Sequence, residues 1–219
     1  MLRRAPGTLF AVAAETVTAG KMPMRLERFG RLGVKNQLLA QLGADTVNRD
    51  LDLRELYSQE DPFELASDYL GAYRARLNAN LAALDRIDGK LDWPLRPDGT
   101  HPLTELFLAD YQVVDVAKPF SEHSYLEIEQ ALLQGRAHAT CGGRSLNDDA
   151  LDANLTFIVT GGNGPPLSDG VDQATVRASD SFPYVAPPNP DPAVAGRVVV
   201  PSKVADQLAA IQAAGLASR

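Results

Sequence analysis

Cysteine is nearly absent. Cys141 is the single one in 219 residues, so no disulfide can form within this chain. That suits a reducing compartment, and equally an exported domain that needs no staple. Positive charge is scarce as well: 21 Lys and Arg stand against 28 Asp and Glu, a net charge of −7. Binding to nucleic acid by counterion release needs a basic surface, which makes nucleic acid an unfavourable partner. No apolar run approaches the roughly 20 residues of a membrane-spanning helix. The opening Met1-Leu2-Arg3-Arg4, with the apolar residues from Leu9, has the outline of an export signal, but the run is short and Pro6 and Gly7 interrupt it. Catalytic signatures are also missing. There is no G-x-S-x-G, no H-E-x-x-H and no dinucleotide fingerprint, and Gly161-Gly-Asn-Gly164 lacks the lysine and helix of a phosphate loop.

What is present is a chain with 45% hydrophobic and 22% charged residues, ordinary for a globular protein. A chain of this length buries about 70% of its unfolded surface and folds without a metal or crosslink. Thr8 to Thr18 and Met24 to Phe29 read as strands from their β-branched and alternating residues. Arg31 to Arg49 fits neither period. From Pro62 to Asp88 the residues Phe63, Ala66, Leu70, Tyr73, Leu77, Leu81 and Leu84 form one helical face. Asp61 is placed to cap that helix, Pro62 to occupy its first position, and Gly89 to stop it. Gly71 inside it predicts a close approach by another segment. Tyr69 and Tyr73 sit at core spacing, and with Tyr57 and Trp93 they can also line a groove.

Downstream, Thr100 or Thr104 is placed to cap a short helix through Leu103, Leu106, Phe107 and Tyr111, and Val113 to Val116 reads as a strand. Ser124-Tyr-Leu-Glu127 is a capping box for a helix closed by Gly135. Asn147 is read as the cap of a helix over Asp148 to Thr160. Glycine and proline dominate from Gly161 to Pro192, a Val198 to Val200 strand follows, and Val204, Leu208 and Ile211 mark a final helix. The expected fold is therefore mainly α with minor short β-strands (α+β), in a single domain over 1–219. It comprises a strand and irregular lead-in (1–60), a helical core with one long central helix (61–160), an extended Pro/Gly arm (161–200) and a C-terminal helix (201–219).

Several blocks carry a likeness: Arg28-Phe-Gly-Arg31 with Asn36, Ala72 to Leu77, His101 to Leu106, Val113 to Val116 with Lys118-Pro119, and Leu126 to Glu129. The closing block, Cys141 to Asp149 with Asp152, Asp169-Gly-Val-Asp172 and Phe182-Pro-Tyr184, is the most particular. Together they resemble the C-terminal half of a bacterial family, domain of unknown function 4331, over most of the chain. Members of that family usually begin with a further strand-rich region, often behind an export signal. The resemblance implies an extracytoplasmic location and a truncated or divergent member.

Asp148, Asp149 and Asp152 open a helix, and Asp169 and Asp172 follow in a loop. These five acids supply hard oxygen ligands suited to Ca²⁺ or Mg²⁺, although no EF-hand spacing is present. The competing reading is structural, because acids in a first helical turn offset the dipole and accept from free N–H groups. His138 and Cys141 have half of a zinc-site spacing but lack a second pair. Arg144, after Gly142-Gly143, is expected to pair with Glu127 or Glu129. The functional expectation is a non-catalytic binding or structural module with a protein partner or a second copy of itself. The alternative is a metal-dependent, hydrolase-like enzyme on Asp148, Asp149 and Asp152 with His138 as acid/base.

Overall fold

The computed structural model describes residues 2–4, 7–13, 15–17, 25–40 and 47–188. The strand read at Val198 to Val200, the helix read over 201–219 and the arm beyond Pro188 lie outside those residues. The described strands are β1 (Leu2–Arg4), β2 (Leu9–Val12), β3 (Glu15–Val17), β4 (Arg25–Arg28) and β5 (Gln112–Asp115). The helices are α1 (Val47–Gln59), α2 (Ser67–Asp85), α3 (Thr104–Leu108), α4 (Glu127–Leu133) and α5 (Ala150–Thr160), with a π-helical turn over Val34–Leu38. The fold is α+β.

β2 lies between β1 and β5 in an antiparallel three-stranded sheet, with Leu9 opposite Asp115 and Val12 opposite Gln112. β3 and β4 form a separate antiparallel pair, whose register shifts between Thr16 and Val17. Tyr73, Leu77, Leu81 and Leu84, four or three residues apart on α2, point to one side and are buried. They meet Leu38, Leu39, Tyr57, Leu103, Phe107, Phe157 and Ile158 in one cluster. Each such side chain contributes roughly 1.5–3 kcal/mol on leaving water. Trp93 closes the cluster edge-on to Phe157 at 5.3 Å, and its indole N–H donates to the Phe157 carbonyl at 3.0 Å.

The structure departs from the sequence expectations at several helix ends. α1 is a helix within the lead-in, and its last turns carry Tyr57 into the core. α2 begins at Ser67 and ends at Asp85, so it is shorter at both ends than the stretch from Pro62 to Asp88. Asp61 caps a turn instead: its Oδ1 accepts from Phe63 N at 2.9 Å and its Oδ2 pairs with Arg25 at 3.1 Å. Glu60 also competes for this region, accepting from Ala66 N at 2.7 Å and from the Tyr73 hydroxyl at 2.8 Å. Asp85 stops the helix by turning back to accept from Asp92 N and Trp93 N. Gly71 is exposed with open space around it, so no segment approaches there. Tyr57 and Tyr73 are core residues in edge contact at 5.3 Å, while Tyr69 remains exposed.

The Ser124 to Glu127 capping box does not form. Leu126 takes the N-cap position in a left-handed conformation, φ 65°. Ser124 donates to the carbonyls of Ser121 and Gly142, and Glu127 accepts from Ala139 N, Thr140 N and the Thr140 hydroxyl. Both side chains serve tertiary partners, and those bonds outweigh the local cap. Among the described residues, 161–188 carry no helix or strand.

Candidate functional site

α5 presents the acidic residues. Its N-cap is Asp149, whose Oδ1 accepts from Asp152 N at 3.1 Å. Asn147, read as the cap, does something else. Its amide accepts from Ala178 N at 2.9 Å and donates to the Ala178 carbonyl at 3.2 Å and to Glu122 at 2.8 Å. It therefore pins the Pro/Gly segment as a paired strand would. Asp148 also leaves the helix end: its carboxylate accepts from Ser145 N at 2.6 Å and from His123 N.

Of the five predicted ligands, Asp149, Asp152 and Asp172 converge, each offering a carboxylate oxygen within 4.8 Å of the others. Asp169 stands beside them but turns its Oδ1 onto Val171 N at 2.8 Å, while its own N–H donates to Asp152 at 2.8 Å. Asp148 faces away. Burial pushes the Asp149 carboxyl up from its ordinary value, and the charges of Asp152 and Asp169 push it the same way. Three close acids of this kind repel one another, an arrangement a hard cation relieves.

His138 is engaged elsewhere. Its Nε2 lies 2.8 Å from Asp115 Oδ2. The Thr8 hydroxyl, the Ala117 N–H and His138 hold the Asp115 carboxyl down at about 2. The Cys141 thiol donates to the Gly142 carbonyl at 3.4 Å. Among the described residues, neither His138 nor Cys141 belongs to a group of three possible metal ligands. His138 is therefore placed as the partner of a carboxylate beside β5, not as an acid/base next to Asp149. His101 is fully buried and burial pushes it down to about 4, which keeps its ring neutral, with Nδ1 accepting from Leu103 N.

Arg144 pairs with neither Glu127 nor Glu129. Glu127 is taken by Arg136 at 3.2 Å and Glu129 by Arg31 at 2.8 Å. Arg144 instead donates to the Phe29 carbonyl at 3.2 Å and lies 5.9 Å from the Tyr125 ring centroid. It borders an open groove of about 520 Å³ with Phe120, Leu146, Asn147, Asp180 and Tyr184. Phe120 and Leu146 are 69% and 67% exposed, and Phe182, stacked edge-on against Tyr184, is 86% exposed. Large apolar side chains left in water at one place form a contiguous patch rather than ordinary scatter. This groove has no local sequence signature, because its walls come from residues about 60 positions apart.

The Arg28 and Arg31 block supplies a buried polar network. Arg28 lies against Asp110, with Nε 3.2 Å from Oδ2 and both side chains 1% exposed. It also donates to the Tyr57 carbonyl at 3.0 Å and stacks 3.9 Å from the Tyr57 ring centroid. Neither a family model, nor a curated protein, nor a solved structure matches the chain.

Proposed function

We propose that this protein is a non-catalytic binding module that takes an apolar segment of another protein into the groove of Phe120, Leu146 and Tyr184. The observation that carries this reading is the cluster of exposed aromatic and aliphatic side chains around a groove of about 520 Å³. Asp180 on the rim and the net charge of −7 favour a partner with basic residues flanking its apolar anchor. Like charge disfavours a second copy of the chain. In this reading α2 is the long central support, and the Pro/Gly arm, pinned by Asn147, forms one wall of the groove. Membership of the family of domain of unknown function 4331, and work within a larger cell-surface assembly, belong to the same proposal.

Peptide display tests it. Peptides with an apolar core and basic flanks should be enriched by the wild-type chain and lost with Leu146→Asp. Leu91→Asp, at an exposed position outside the groove, should retain them. Enrichment that survives Leu146→Asp, or no enrichment at all, would sink the reading.

A second reading rests on the convergence of Asp149, Asp152 and Asp172, which suits Ca²⁺ or Mg²⁺ and a metal-dependent activity. Asp149→Ala should cost about 1 kcal/mol by loss of the α5 cap, whether or not an ion binds. Asp172→Asn removes an exposed acid that caps no helix and should leave the melting temperature unchanged in chelator. A calcium-dependent rise in melting temperature, present in the wild type and abolished by Asp172→Asn, supports the metal reading; equal melts with and without calcium remove it.

A further inference from the structure

We infer that a second cavity, between the Arg28 to Asn36 segment and Arg144, binds a small oxyanion: a carboxylate or phosphate group on a compact molecule. The cavity has a volume of about 280 Å³, and its lining includes Arg28, Arg31, Lys35, Asn36 and Arg144, with Glu27 as the one acid.

The charges sort into those already satisfied and those left over. Arg28 is neutralised by Asp110, and Lys35 sits 2.9 Å from Glu27 and 3.1 Å from Glu55. Glu27 is thereby occupied and does not oppose an anion strongly. Arg31 is 2% exposed and uses only Nη2, on Glu129; its Nε and Nη1 are buried without a hydrogen-bond partner. Unpaired guanidinium N–H groups in the interior carry an uncompensated desolvation cost, which an acceptor removes. Arg144 donates to one backbone carbonyl and, among the described residues, pairs with no carboxylate. The Arg144 fork, with donors left free, and the Arg31 guanidinium set behind it give the cavity wall a match for the planar or tetrahedral oxygens of a carboxylate or phosphate.

The backbone supplies a second, independent observation. Gly33 is left-handed, φ 75°, and starts the π-helical turn in which both Gln37 N and Leu38 N donate to its carbonyl. A π-turn widens the helix by one residue per turn and recurs at functional sites. Here it brings Lys35 and Asn36 into the lining. An alanine Cβ at Gly33 would stand 2.6 Å from the Gln37 side chain, in a conformation that already disfavours any residue but glycine.

The site is distinct from the apolar groove, although Arg144 borders both, so Arg144→Gln is read beside Asn36→Asp and Leu146→Asp, each of which touches only one of them. Isothermal calorimetry with inorganic phosphate and with succinate, against sodium chloride at matched ionic strength, is the measurement. At least one of the two anions should bind with one-to-one stoichiometry, and which one binds tells phosphate from carboxylate ligands. Arg144→Gln and Asn36→Asp should each weaken that binding about tenfold or more, the value of a charge-assisted hydrogen bond. Circular dichroism checks that both variants stay folded. Leu146→Asp, which should abolish peptide binding in the groove, should leave anion binding unchanged. Heats no larger than those of chloride, or unchanged affinity in both Arg144→Gln and Asn36→Asp, would overturn the inference.

Discussion

Asp110→Ala is expected to destabilise the protein by about 3–5 kcal/mol at pH 7.5, the cost of stranding a buried charge. Asp110 joins two arginine anchors. Its carboxylate faces Arg28 with both side chains 1% exposed, and its Oδ1 accepts from Arg31 N at 2.6 Å. Removing it leaves the Arg28 guanidinium without its carboxylate in the interior. The backbone adds to the loss, because Asp110 has φ 41° and aspartate tolerates that left-handed region better than alanine does. Asp110→Asn keeps an acceptor for Arg28 and the same backbone tolerance, and because it stays neutral it should be at least as stable as the wild type at pH 7.5.

The same residue gives the protein a pH dependence. Burial pushes the Asp110 carboxyl up to about 6, against the pull of Arg28 and Arg31, from an ordinary value of 3.8. Between those values the folded chain holds a proton that the unfolded chain has released. The stabilisation from this group is therefore complete below about pH 4 and is lost as pH rises through about 6. Urea melts from pH 4 to 7.5 should show that decline, and Asp110→Asn should flatten it. A wild-type curve that rises over the same range would contradict the assignment.

Gly30→Ala is the second large effect. A Cβ at Gly30 would lie 1.8 Å from the Asp110 carbonyl oxygen and 2.9 Å from the Tyr111 Cα, both backbone atoms that cannot swing aside. The Gly30 carbonyl also accepts from the Gln112 side chain at 3.0 Å, so the two segments are held on both sides of the contact. Forcing them apart separates Arg28 and Arg31 from Asp110, and the cost should reach or exceed about 3 kcal/mol, the upper part of the overpacking range. Gly89→Ala is the control. That glycine is left-handed but has open space around it, so its loss should be confined to backbone strain of about 1–2 kcal/mol. Chemical denaturation of the two variants side by side decides the matter, and equal losses would mean that the close approach at Gly30 is not the cause.

The three-and-four spacing from Tyr73 to Leu84 identified the buried face of α2 because helical geometry alone puts those residues on one side. Gly135 and Gly161 likewise mark real helix ends, both with positive φ. The α5 acids were legible as a group. Their division was not: Asp149 caps, Asp148 turns to the His123 and Ser145 N–H groups, and Asp172 arrives from a loop 20 positions further on. A sequence window holds the local acceptors for a free N–H, but not the distant donors that compete for the same side chain. Asn147, Ser124 and Asp61 all went to such competitors.

Composition, net charge, the absence of a catalytic signature, and the α+β class were thus determined by the sequence by itself, since each depends on residue identity and on spacing of a few residues. The tertiary structure alone decided which acids meet, which arginines are buried in pairs and which are left with free donors, and where apolar side chains stay in water. Those outcomes depend on segments brought together across about 20 to 100 positions, as in the meeting of Asp152 with Asp172 and the contacts of Arg31 with Asp110 and Glu129. There, burial raises the strength of every charge contact and the cost of each one left unmade.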